Sequence, residues 1–204
     1  MNIGHIRSDI IGVLCIFFSL WVGLVLVAGG CSMSTKGIVL SLYDFTGTAC
    51  QAWAEQGYDC RCYDIQHTLG ATPTLENTQF FPPSIDGGDV GSISYLNADL
   101  HRISTFRNLM EEFGDNGDLV VFGMAFPGCT DLSVAGAPHF AAKGAKDPDF
   151  QLKAVNHAKW CAYFFDDLGV PYYIENPVSV LSSRWHKSNY RFHPSEYGGY
   201  IPLE

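Results

Sequence analysis

Leu119-Val120-Val121-Phe122-Gly123-Met124-Ala125-Phe126-Pro127-Gly128-Cys129-Thr130-Asp131-Leu132-Ser133 is the stretch on which the fold turns. Leu119 to Gly123 is a short apolar run and reads as a buried strand. A Pro-Gly turn follows and delivers a thiol, Cys129, just past the strand end. A second stretch, Tyr173-Ile174-Glu175-Asn176-Pro177, repeats the arrangement with a carboxyl group after the strand Tyr172 to Ile174. In an open α/β sheet the carboxyl ends of the strands are where ligands bind. A nucleophile beside a proton-holding carboxyl group is a catalytic pair. The plainer readings are a buried cysteine, and a helix N-terminal turn with Asn176 capping and Pro177 in the first helical position.

Outward from these stretches, strands and helices alternate. Ile38 to Tyr43, Asp59 to Tyr63 and Ser92 to Asn97 read as further strands. Cys50 to Gln56 reads as a short helix ended by Gly57, Leu100 to Phe113 as a second helix, and Asp149 to Leu168 as a long one. Leu152, Val155, Trp160 and Phe164 supply its apolar positions. Gln66 to Gly91, rich in Pro, Thr and Gly, reads as a loop, and so does Asp131 to Lys146 with at most one helical turn. The alternation predicts a doubly wound α/β fold, a parallel sheet with helices on both faces.

The chain has 204 residues, 47% hydrophobic and 16% charged, a globular composition for one domain of usual size. Its formal net charge of -9 stands against a nucleic-acid binder, which normally carries a basic footprint. The seven cysteines form no C-x-x-C pair, so no metal is expected, and their scatter fits a reducing compartment. Cys60 and Cys62 alternate along one strand and share a face, where small buried residues are the simplest reading.

Residues 10–30 carry no charge and match the roughly 20 residues of a membrane span. Three readings stay open for residues 1–32: a membrane anchor or uncleaved signal, a lipoprotein-like leader ending at Cys31, or sequence upstream of a start at Met33. Residues 33–204 form the remaining domain, placed on the cytoplasmic side.

Three acids close the other strand ends. Asp44 opens the turn Asp44-Phe45-Thr46-Gly47-Thr48-Ala49, where Gly47 allows close backbone approach. Asp64, followed by Ile65, is placed to accept hydrogen bonds from ribose hydroxyls, or else is a solvated turn residue. Asp99, followed by Leu100, is equally readable as a helix N-cap. The absence of G-x-G-x-x-G disfavours a nicotinamide enzyme.

In this order the motifs resemble the S-adenosylmethionine-dependent methyltransferases, in particular the DNA cytosine carbon-5 methyltransferases and above all their short phage-encoded forms. Asp44-Phe45-Thr46-Gly47 resembles the family's first turn, and Asp64 and Asp99 its ribose and adenine acids. Pro127 to Cys129 resembles its Pro-Cys loop, and Glu175-Asn176 its Glu-Asn dipeptide. Trp185 to Tyr190 and His193 to Gly198 are similar to the phage subgroup.

The resemblance implies a Rossmann-like methyltransferase sheet and S-adenosylmethionine as cofactor. Asp44, Phe45, Thr46, Gly47, Asp64, Ile65, Asp99, Leu100 and Pro127 would lie on the cofactor side. Cys129 would be the nucleophile, Glu175 the acid at ring nitrogen 3, Asn176 its orienting neighbour and Ser133 a support of the nucleophile loop. The partner would be DNA presenting a flipped or single-stranded cytosine. The family's later arginine motif and target-recognition region have no counterpart here, so the expected sheet lacks its C-terminal portion. A non-catalytic binding module and a methyltransferase for a free nucleotide are the alternatives.

Overall fold

In the computed structural model, which describes residues 35–82, 89–114 and 119–192, six strands form one sheet in the order β3-β4-β2-β1-β5-β6. They are β1 (Ile38–Leu42), β2 (Asp59–Asp64), β3 (Thr78–Phe81), β4 (Gly91–Asn97), β5 (Val120–Ala125) and β6 (Tyr172–Ile174). All pairings are parallel except β3 with β4. The β1 strand is central, and every one of its residues is buried, as expected of a parallel strand covered on both faces.

Alternation along β1 divides the core in two. Ile38, Leu40 and Leu42 face a cluster built with α2 (Ile103–Phe113) and α4 (Phe150–Leu168), which contribute Phe106, Leu109, Phe113, Cys161, Phe164 and Phe165. Val39 faces the opposite cluster, where Cys50 and Ala54 meet Cys60, Cys62, Ile93 and Met124. Here the cover is a 3-10 turn, Thr48–Cys50, running into a single helical turn, α1 (Gln51–Ala54). Gly123 of β5 is dictated by packing, because a Cβ there would sit 2.4 Å from the Phe165 ring.

Several expectations are corrected. The stretch from Gln66 to Gly91 is not all loop: it holds β3, an antiparallel edge strand. The stretch from Asp131 to Lys146 folds as a 3-10 helix, Val134–His139, followed by α3 (Phe140–Lys146). The second helix starts at Ile103, not Leu100, because the Asp99-to-Arg102 stretch is spent on a turn. Asp99 is therefore not its N-cap; Arg102 holds that position without a side-chain cap. Leu152 is half exposed rather than core. Pro177 does not open a helix; the next, α5 (Leu181–Arg184), begins later.

Among the described residues no helix is long and apolar enough to cross a membrane. The apolar segment 10–30 and the run His193 to Gly198 lie outside the described residues.

Candidate functional site

Strand order reverses between β1 and β5: the chain steps from β1 to β2 on one side and returns to β5 on the other. The crevice at such a switch point lies outside the carboxyl ends of the strands. Asp44 leaves β1 there, and Pro127 to Cys129 leave β5. Phe126 N–H donates to the Leu42 carbonyl (3.0 Å), which keeps the two exits side by side.

The first exit is strained. Tyr43 adopts φ 58°, a left-handed conformation that a bulky residue takes only under constraint. Its N–H donates to the Tyr63 carbonyl (2.8 Å) and its hydroxyl to the Leu100 carbonyl (2.7 Å), which together hold it. Burial, followed by the nearby Cys161, Asp99 and Asp64, pushes the Tyr43 phenol well above its usual range, so it stays a donor. Asp44 is buried and shapes the turn: it accepts from Gly47 N–H (2.8 Å) and from the Ser41 hydroxyl (2.7 Å). Gly47 at φ 67° supplies the left-handed corner.

The next exits are stapled to the first. Asp64 Oδ1 accepts from Gln66 N–H (2.8 Å), while its Oδ2 has no hydrogen-bond partner among the described residues. His67 is buried, with Nδ1 3.0 Å from the Leu96 carbonyl and Nε2 3.1 Å from the Phe45 carbonyl, and its ring stacks on Phe45. Asn97 donates to the Ile65 carbonyl (3.0 Å). Phe45 and Ile65 leave about half their surface exposed on this edge (52% and 51%). Asp99 pairs with Arg102 (2.8 Å), and Leu100 is buried in the helical core, leaving its carbonyl to Tyr43. Thr46 reaches Asp44 Oδ1 (3.4 Å).

The thiol and carboxyl loops are joined by backbone. Glu175 N–H donates to the Ala125 carbonyl (2.9 Å), continuing the β5–β6 pairing past the strand end. The Asn176 amide donates to the Pro127 carbonyl (3.1 Å), two residues before Cys129. Farther on, Val180 N–H donates to the Leu132 carbonyl (3.0 Å) and Val134 N–H to the Val178 carbonyl (3.4 Å), with Ser133 bridging Ser179. The Cys129 carbonyl accepts from Leu132 and Ser133 N–H (3.0 and 2.8 Å), closing the Cys129 loop. Ser133 is buried and makes no side-chain cap to the helix it precedes. Of the five described cysteines, Cys129 alone is not fully buried. The Glu175 carboxylate has no hydrogen-bond partner among the described residues, and Asn176 Oδ1 is buried without one.

Ser41, His67, Asn97 and the Val178–Val180 zipper were not singled out from the sequence. Ser41 carried a usable signal, as a hydroxyl inside an otherwise apolar strand. The zipper carried none, because it is made of backbone.

Fold and site together define a mixed α/β protein with a mostly parallel, Rossmann-like sheet whose neighbouring strands β5 and β6 lead into the loops of Cys129 and Glu175. No family model and no curated protein matches the chain. A solved structure, the crystal structure of NADH-dependent reductase A1-R' complexed with NAD, is similar at 12% identity and a TM-score of 0.32. The match covers 74% of this chain and 62% of that one, so the chain spans less than two thirds of that protein's length. A likeness of this degree says nothing about the site.

Proposed function

We propose that this chain is an S-adenosylmethionine-dependent methyltransferase that acts on carbon 5 of cytosine in DNA through a covalent cysteine adduct. The observation that carries it is the joining of the Cys129 and Glu175 loops at the sheet edge beside the Asp44–Gly47 turn.

The residues present fit the cofactor. Asp64 is buried but its Oδ2 has no protein partner among the described residues, which leaves it an acceptor for a ribose hydroxyl, and the exposed faces of Phe45 and Ile65 suit a purine. When bound, S-adenosylmethionine supplies an electrophilic methyl group on a sulfonium sulfur.

The chain's own residues do the rest. The Cys129 thiolate adds to carbon 6 of the cytosine ring. Glu175, as the protonated acid, gives its proton to ring nitrogen 3 as electron density arrives there, so carbon 5 becomes nucleophilic. After carbon 5 has gained the methyl group, loss of its proton to a base expels the Cys129 thiolate. The proton on nitrogen 3 then returns to Glu175. Asn176 ties the Glu175 loop to the Cys129 loop through the Pro127 carbonyl, and Pro127 limits the freedom of the latter.

The test is covalent trapping. The parent protein with cofactor should form a stable adduct with an oligonucleotide containing 5-fluorocytosine, and Cys129→Ser should not. Failure of the parent to bind labelled S-adenosylmethionine would sink the proposal. A net charge of -9 favours a second reading, a free cytidine nucleotide as substrate with few phosphates to repel. Methyl transfer to DNA compared with transfer to free nucleotides separates the two.

A further inference from the structure

Behind the Asp44 turn, three side chains converge that the methyl-transfer chemistry does not use as a group. The Sγ atoms of Cys50 and Cys62 are 3.5 Å apart, and Cys62 Sγ is 3.9 Å from Asp44 Oδ2. One ligand atom from each of Asp44, Cys50 and Cys62 lies within 4.8 Å of the others, and all three residues are buried. Cys60, two residues from Cys62 on the same strand face, donates instead to the Cys50 carbonyl (3.6 Å) and lies outside this group.

Free buried cysteines pack as small hydrophobes and have no need to meet. Here the sulfurs turn toward one another and toward a carboxylate. Among the described residues no Lys, Arg or His side chain pairs with Asp44; its partners are Gly47 N–H and the Ser41, Thr46 and Cys62 side chains. Buried charge is normally paired or bound to a metal. Sulfur bonds to zinc are about 2.3 Å, so two sulfurs on one tetrahedral ion lie roughly 3.8 Å apart. The observed spacing is near that.

We propose that Asp44, Cys50 and Cys62 are the protein ligands of a site for a soft divalent cation of the zinc class, its remaining position taken by a small exogenous ligand such as water. Each coordinating thiol gives its proton to solvent as its metal–sulfur bond forms, and Asp44 coordinates as the carboxylate. Thiolates select zinc over magnesium or calcium. The ion would tie the first turn, the start of α1 and β2 into one unit behind the sheet edge. The spacing, Asp-x5-Cys-x11-Cys, matches no common ligand motif, so it was not visible as a site in the sequence.

The inference does not depend on methyl transfer, and its test reads neither cofactor nor DNA. Full-length protein purified under reducing conditions should carry one equivalent of zinc. Replacing zinc with cobalt(II) should give a sulfur-to-cobalt charge-transfer band with the visible bands of a tetrahedral ion. Cys62→Ser should remove both. Cys161→Ser, in the opposite core cluster, and the double variant Cys15→Ser with Cys31→Ser should keep them. Should Cys62→Ser fail to fold, alkylation mapping of the parent in mild urea replaces it: Cys50 and Cys62 should label more slowly with zinc than after chelation, and Cys161 should label alike in both. Folded, reduced parent protein that binds neither metal overturns the proposal, and so does a Cys50–Cys62 disulfide in place of metal.

Discussion

Asn176 offers a sharp test of how the two candidate catalytic loops are held. Its amide nitrogen donates to the buried Pro127 carbonyl, while its Oδ1 is buried with no partner. Truncation by Asn176→Ala loses one hydrogen bond, about 1 kcal/mol net. It also leaves the Pro127 carbonyl unpaired, at about 1–3 kcal/mol, but removes an equally unpaired Oδ1 of similar cost. The two orphan terms offset, and a net loss of about 1 kcal/mol remains, a fall in Tm of roughly 2–4 °C for a chain of this size. Asn176→Asp is nearly isosteric yet should be worse. It sets an acceptor against the Pro127 carbonyl and places an anion where Oδ1 already lacks a donor, which adds roughly 2 kcal/mol or more. Thermal and urea unfolding of the parent and both variants give the ranking directly. If Asn176→Asp is as stable as Asn176→Ala, Oδ1 faces a donor and the reasoning fails.

Three other outcomes are expected. Gly136→Ala places a Cβ 1.9 Å from the Thr130 carbonyl, next to Cys129, so it should destabilise by about 1–3 kcal/mol in urea unfolding; an unchanged midpoint would mean that the Cys129 loop yields freely. Burial, and next the charge of His101, push His157 down to about 4. The unfolded chain takes up that proton near pH 6.5 and the folded one does not, so this stability is present above about 6.5 and is lost as pH falls toward about 4. The neighbours that set the effect are His101, Asp99 and Asp131, and the urea midpoint of His157→Phe should fall less over that window than the parent's. Among the five described cysteines, native iodoacetamide labelling read by peptide mapping should modify Cys129 first; labelling of Cys161 at a similar rate would contradict its burial.

What the sequence showed of this protein followed the strength of local signals. Five strands and the long helix were legible because apolar runs bounded by Gly, Asp or Pro leave little choice. The β3 strand was hidden by its place in the fold: Thr78–Phe81 is an edge strand, half exposed, inside a Pro- and Thr-rich stretch, and tertiary contacts order it, its pairing with β4 and the packing of Phe81 on the core. The Val134–Lys146 helices were hidden by Gly136, Pro138 and Gly144, which read as breakers; tertiary contacts override them, with Gly136 needed where the chain touches Thr130. Leu152 misled because a helix of this length carries more apolar residues than its buried face can take.

The candidate site divides along the same line. Cys129, Glu175, Asp44 and Asp64 were legible because polar groups after apolar strands stand out. What aims them was not, since it consists of backbone zippers, a strained Tyr43 and a histidine between two carbonyls. This has a consequence for mutagenesis. The Cys129 and Glu175 loops are joined mainly through main-chain bonds, from Glu175 to Ala125 and from Val180 to Leu132. Replacing either functional side chain should therefore leave the geometry of the other in place. A Cys129→Ser or Glu175→Gln variant that still folds but traps no base loses chemistry and not architecture. A variant at Gly136 that traps no base can have lost either, and only its stability measurement tells them apart.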